Sequence, residues 1–404
     1  MKILLSAYAC APGKGSDPEI GWNWMQQLAR VHDVWVVTRT KNREAIEHGL
    51  EAEPAPRARF VYVDLPKALR FWKSWPGGVY LYYYIWQFLA WRKARTLHRE
   101  IEFDRTQHVT FCMYWLPSFM ALLPVPFVWG PVGGAESSPK SFRRTFGLRG
   151  RLYEFLRDTA RSIGMLDPSL RMTARRATLA LASTPESAER LRKLGCRNVR
   201  VESCCGGHPC GATTEPRPSG SGLHLFSAGR LLHWKGFHLA LGAIAQVRDR
   251  VAVEYSIFGT GPERKRLEQL ANDLNIADRV HFHDAIPRAE LIARMASFDA
   301  MLHPSLHDSG GFACLEAMAA GCPVVCLDLG GPGLLVDNES GFKIAAETPE
   351  QAVRDLAVAI QRLVTDRSLR SRLGRNARTR AEEFAWERKL ELLEECRGEE
   401  LAVA

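Results

Sequence analysis

The chain has 404 residues, more than one hydrophobic core usually organises, so two domains are expected. An apolar share of 46% and a charged share of 25% are those of a globular protein and exclude disordered and collagen-like classes. The net charge of +9 points to an anionic substrate or an anionic surface, and no nucleic-acid motif accompanies it.

Lys2–Ala9 is a short apolar run suited to a buried parallel strand. It resembles a signal peptide only superficially, because the run is short and a glycine loop follows at once. Cys10–Glu19 reads as that loop, and Ile20–Val31 has helical spacing through Trp24, Leu28 and Val31. Val34–Thr38, Phe60–Val63, Val109–Phe111, Phe127–Trp129 and Leu179–Ser183 continue as strands, the last after an Arg-rich helical stretch. Cys, Gly, Pro, Ser and Thr then break the rhythm near 203–221. It restarts with strands at Leu223–Ala228, Ala252–Phe258, Val280–His283, Ala300–His303 and Val324–Leu327, and closes in a helical stretch, about Pro349–Cys396, interrupted near Phe384–Trp386. Strands alternating with helices give an α/β chain of two doubly wound, Rossmann-like domains. The expected division is a first domain at 1–205, a linker at 206–222, a second domain at 223–384 and a terminal helix at 385–404.

Two clusters admit two readings each. From Phe71 to Trp91 there are ten aromatic residues, with Arg92, Lys93 and Arg95 just beyond. They suit an anionic membrane surface, or an aromatic helix buried against the sheet. Cys204, Cys205, His208 and Cys210 offer metal ligands, but the spacing lacks paired C-x2-C halves, and an interdomain loop is the plainer reading. The other cysteines, among them Cys314, Cys322 and Cys326, sit in apolar contexts, which favours reduced thiols and a cytoplasmic setting. No run reaches the ~20 apolar residues that span a bilayer.

The richest chemistry lies between His303 and Val325. Asp308 and Glu316 bracket a glycine loop and the first turns of a helix, with Gly310, Gly311 and Phe312 at its start. A helix N-terminus with uncovered N–H groups suits phosphate, and carboxylates suit sugar hydroxyls. The segment resembles the acidic-x7-Glu signature of retaining GT-B glycosyltransferases, specifically glycosyltransferase family 4. The usual first member of that pair is Glu; here it is Asp308, shorter by one methylene. The resemblance runs over nearly the whole chain and is strongest from Ser227 to Gly341.

Ser227–Gly236 carries the matching Gly229-Arg230 and Lys235-Gly236 pairs. Two cations at a strand end can clamp a pyrophosphate and offset charge on a leaving diphosphate. The resemblance implies that Glu316 holds ribose hydroxyls, that Asp308 faces the transferred sugar, and that the Gly310, Gly311 and Phe312 N–H groups meet sugar or phosphate oxygens. It also implies that Gly259 and Gly261 line the nucleotide pocket and that Asp284 and Ala285 sit by the base through backbone contacts. Gly13 and Gly15 follow the first strand without Walker spacing and resemble the family's first-domain loop; Gly133 and Gly134 form a second glycine loop. His108 resembles a family histidine that positions an acceptor, although a core histidine is equally readable.

The resemblance thus implies two domains facing a cleft, a terminal helix crossing back to the first, and transfer of a hexose with retention from a nucleotide-diphosphate sugar to a glycan or lipid-linked acceptor in surface polysaccharide synthesis. No cofactor is expected, and no metal, since an Asp-x-Asp motif is missing at the donor loop. Localisation is expected in the cytoplasm or on the inner membrane face, with residues 71–95 as the membrane contact. A nucleotide-sugar 2-epimerase of the same fold and a silent sugar-binding or membrane-scaffold protein remain as alternatives.

Overall fold

Apolar runs bounded by Gly and Pro turns, alternating with helices, favour parallel strands covered on both faces. The computed structural model describes residues 1–66, 70–71, 75, 77–207 and 222–403, with side chains described to residue 394. In the first sheet, β1 (Lys2–Ser6), β2 (Asp33–Thr38), β3 (Ala58–Tyr62), β4 (Arg105–His108), β5 (Phe127–Val132), β6 (Leu179–Ala182) and β7 (Val199–Val201) lie in the order β3-β2-β1-β4-β5-β6-β7. In the second, β8 (Leu223–Ala228), β9 (Val253–Phe258), β10 (Val280–His283), β11 (Ala300–His303), β12 (Val324–Leu327) and β13 (Gly341–Ile344) lie in the order β10-β9-β8-β11-β12-β13. The described ladders are parallel. Strand order reverses between β1 and β4 and between β8 and β11, and each reversal opens a crevice at the strands' carboxyl ends.

Two compact units result. One comprises Met1–Ala135, Asp158–Cys204 and Trp386–Ala404; the other comprises Glu136–Arg157 and Cys205–Ala385. The sequence reading keeps 136–157 in the first domain, whereas the structure groups it with the second. Phe142 and Phe146 of that segment are buried in the second core, among Leu231, Phe237 and Leu239. Trp386 is buried in the first unit and meets Trp24 edge-on at 6.3 Å, while buried Lys389 donates to Glu202 Oε1 at 2.5 Å and Ser203 O at 2.6 Å.

The aromatic stretch divides. Within the helix Gly78–Ile101, Tyr82, Tyr83 and Trp86 are buried in the first core, whereas Leu81, Ile85 and Phe88 are exposed. Trp72 and Lys73 lie outside the described residues, as do His208, Cys210 and most of the 206–222 linker. Cys204 and Cys205 are buried, and among the described residues no His, Cys, Asp or Glu cluster is placed to hold a metal. No described helix is long and apolar enough to cross a membrane.

One strand was misplaced by pattern. Val109–Phe111 is a loop, and the strand is the preceding Arg-Thr-Gln-His. Its four residues are buried because β4 is flanked by β1 and β5. His108, its last residue, is fully enclosed. Its Nε2 lies 2.9 Å from Thr110 O and 3.0 Å from Tyr83 Oη, and its Nδ1 lies 2.9 Å from Ser118 Oγ. The carbonyl calls for N–H at Nε2, leaving Nδ1 to accept from Ser118. Burial pushes the pKa from 6.5 down to about 4, with the Thr110 carbonyl opposing. A satisfied, neutral core histidine is not placed to deprotonate an acceptor.

A stability consequence follows from that burial. Between pH 6.5 and about 4 the unfolded chain protonates at His108 and the folded chain does not, so stability falls as pH falls through this window. The His108 contribution should approach roughly 3 kcal/mol. Urea unfolding at pH 7 and pH 4.5 should show the loss, and His108→Gln should reduce it. An imidazole NMR titration of His108 centred near 6.5 would contradict the assignment.

Candidate functional site

The crevice of the second sheet is built by the loops after β8 and β11. From the first comes Lys235, from the second Asp308, and their side chains meet with Nζ 2.5 Å from Oδ2. Asp308 Oδ1 accepts the backbone N–H groups of Gly310 at 3.2 Å and Gly311 at 3.1 Å. His303, at the end of β11, places Nε2 at 3.4 Å from Oδ2. Burial pushes the Asp308 carboxyl up, but Lys235 and His303 outweigh it and hold the group well below the ordinary carboxylate range. Asp308 is therefore ionised at neutral pH.

The two glycine N–H groups, expected from the sequence to await a ligand, are taken by Asp308 itself. The carboxylate thus orders the loop at the start of the helix Phe312–Ala319, whose N-cap is Gly311 at φ 80°. Phe312 is that helix's first residue, and one turn on, Glu316 Oε1 accepts from Arg288 Nε at 2.6 Å. Asp308 and Glu316 are thus each held by a different cation.

Arg230 leaves β8 on an exposed loop, and among the described residues its side chain makes no ion pair. The loop owes its path to glycine. Gly236 has φ 70°, and a Cβ there would lie 1.8 Å from the Pro304 carbonyl oxygen. Gly259 has φ 149°, and its Cβ would fall 2.0 Å from Gly229 O. The turns after β8, β9 and β11 therefore touch backbone to backbone, Gly229 and Gly261 among them. Asp284 and Ala285 are exposed after the edge strand β10, with Asp284 Oδ1 3.1 Å from Arg264 Nη1.

Several residues escaped the sequence reading. Ser309 Oγ donates to Glu136 Oε2 at 2.5 Å. Buried Glu154 Oε1 lies 3.2 Å from His233 Nε2 and 3.3 Å from His307 Nε2, neighbours in sequence of Lys235 and Asp308. Burial would raise the Glu154 carboxyl, but the two histidines and Arg157 lower it below its ordinary value. Tyr153, Trp234 and His307 stack in series at 5.0 Å spacings. A helix sends Glu154 between the two catalytic-candidate loops, yet nothing in the sequence of that helix links it to them.

In the first unit, Gly13 and Gly15 take positive φ (68° and 61°) in open space just before the helix Ser16–Val31. Gly133 and Gly134 follow β5, and Arg161 donates to the Gly134 carbonyl. Polar groups after β1 and β2 include Tyr8, Asn42 and the buried Arg39, whose guanidinium carbon sits 3.7 Å over the Tyr8 ring.

Residues 217–380 match the family described as glycosyl transferases group 1. The second unit is a glycosyl transferases group 1 domain. The chain is 32% identical over 172 residues to the D-inositol 3-phosphate glycosyltransferase of Paenarthrobacter aurescens, covering 41% of each chain. It is 31% identical over 210 residues to the putative colanic acid biosynthesis glycosyltransferase WcaL of Escherichia coli, covering 49% of this chain and 51% of that protein. The chain thus spans about half the length of the curated relatives it matches, or less. Anabaena HepE in complex with UDP superposes with a TM-score of 0.66 at 19% identity, over 99% of this chain and 100% of HepE. The two Rossmann-like units are those of the GT-B fold. In this glycosyl transferases group 1 domain, Lys235, Asp308 and Glu316 sit at or just beyond the reversal of strand order.

Gly236→Ala tests the backbone packing that sets this site. A side chain facing a carbonyl at 1.8 Å, at left-handed φ, should cost about 3 kcal/mol or more. Denaturant unfolding of the variant should show it, and a loss under about 0.5 kcal/mol, that of an ordinary surface change, would refute the packing.

Proposed function

We propose that the chain is a retaining glycosyltransferase that moves a hexose from a nucleotide-diphosphate sugar to an acceptor hydroxyl. The observation that carries this reading is the Lys235–Asp308 pair, held at the second sheet's crevice beside the start of a helix. A cation beside a leaving diphosphate stabilises charge that develops in the transition state. A carboxylate in the same place binds sugar hydroxyls, which exchange with the lysine contact on binding. Arg230, exposed and not ion-paired among the described residues, serves as the second phosphate cation. Glu316, oriented by Arg288, accepts the ribose hydroxyls. HepE structures hold UDP and UDP-glucose, which supports a nucleotide donor for this fold.

In the reaction the C1–O bond to the diphosphate breaks and a C1–O bond to the acceptor forms on the same face. The acceptor's proton passes to the departing diphosphate, so no protein base is required and His108 has no part in this step. Arg230 and Lys235 take the role of a metal at the donor. WcaL's name supports surface polysaccharide synthesis as the setting, and a cytoplasmic, membrane-adjacent location fits a lipid-linked acceptor.

Lys235→Ala should lower turnover by about two to three orders of magnitude. Activity within twofold of wild type on a panel of radiolabelled nucleotide sugars would sink the role, and isomerised sugar in place of transfer would sink the reaction class. The two carboxylates separate by binding. Glu316→Gln should weaken affinity for the free nucleoside diphosphate, whereas Asp308→Asn should impair transfer and spare that affinity. Equal losses in both variants would contradict the division.

Metal independence has its own assay. Transfer should persist after exhaustive chelation. Loss of activity with rescue by magnesium or manganese would overturn the assignment of the two cations.

A further inference from the structure

The helix Leu148–Gly164 is amphipathic in the reverse of the usual sense. Its buried residues are polar: Glu154 and Arg161 are 1% and 5% exposed. Five of its exposed residues are large and apolar: Leu148 is 85% exposed, Leu152 59%, Phe155 66%, Leu156 57% and Ile163 64%. At roughly 100° per residue these five fall within about 100° of arc, opposite Glu154, Arg157 and Arg161. Single exposed apolar side chains are ordinary; a continuous stripe on one helix is not. Arg149 and Arg151, both exposed, flank the stripe on its two sides.

Charge decides the occupant. The two charged residues that border the stripe, Arg149 and Arg151, are both cationic, on a chain of net charge +9. A second copy of the chain would bring the same charge against itself. An anionic lipid surface meets both demands, taking the apolar stripe into the acyl boundary and the arginines at the headgroups. We infer that this helix lies in the plane of an anionic membrane. The surface is distinct from the Phe71–Arg95 stretch, whose buried aromatics belong to the first core. Glu154, on the face away from the lipid, reaches His233 and His307 beside Lys235 and Asp308. The same helix therefore joins the membrane contact to the two loops of the site.

The test is sedimentation of the full chain with vesicles of phosphatidylglycerol and phosphatidylethanolamine, and with phosphatidylcholine alone. Wild type should bind the anionic vesicles, more weakly at high salt. Leu152→Ser, Leu156→Ser and Ile163→Ser combined should lower partition at least tenfold with an unchanged thermal melt. Arg149→Glu should reduce binding to the anionic vesicles while leaving the melt intact. The inference fails if wild type ignores anionic vesicles at low salt, or if both variants bind as wild type does. It also fails if wild type is a dimer that the triple variant converts to a monomer, since the stripe would then be a self-interface.

Discussion

The Asp308 carboxylate is the contact on which the second unit's site depends. One oxygen orders the glycine loop through two N–H groups; the other fixes Lys235 from a different strand. Partly enclosing an ion is costly unless its lone pairs are filled, and here four donors or near-donors converge on it. The same group therefore organises the ligand-free loop and stands ready to exchange partners with a polyol. An aspartate reaches the N–H groups two and three residues on in an Asx turn, a local contact for which the shorter side chain is suited. The aspartate at this position thus has a local reason in the fold, apart from any donor preference.

How much of this was legible in the sequence depended on the kind of signal. Four of the five strands expected in the second half begin and end where they were placed, because continuous apolar runs between Gly and Pro have few other fates. The strands Val199–Val201 and Gly341–Ile344 were missed, since an edge strand needs little apolar content and these carry Arg200 and Lys343. β4 was shifted because its buried residues are polar and the apolar run lies just after it. The helix at Ser16 was started four residues late, its acidic first turn reading as loop.

The site itself was legible where spacing carried chemistry and opaque where partners came from afar. Lys235, Asp308 and Glu316 announce themselves by motif. Arg288, Glu136 and Glu154 do not, because each reaches the site from a segment 28 to 173 positions away. No local pattern records that distance. The Gly310 and Gly311 donors were read as uncovered backbone at a helix start, whereas both glycines are buried and their N–H groups are taken by Asp308. An aspartate side chain readily takes the N–H groups two and three residues on in an Asx turn, which is the pattern here.

The helix Leu148–Gly164 joins these arguments. Read as sequence it is only an Arg-rich helix. Its polar side turns inward because Glu154 is bound by His233 and His307, and that choice forces Leu148, Leu152, Phe155 and Leu156 outward. Rotating the helix by half a turn would bury the leucines but break both histidine contacts and strand Arg161 in water, away from the Gly134 carbonyl that it binds. The apolar face is thus the direct consequence of holding the loops of Lys235 and Asp308 from behind. A water-exposed stripe of that kind carries a solvation cost that only a covering surface removes. The fold accepts that cost in exchange for a fixed site, and an anionic bilayer relieves it without disturbing a single contact on the inner face.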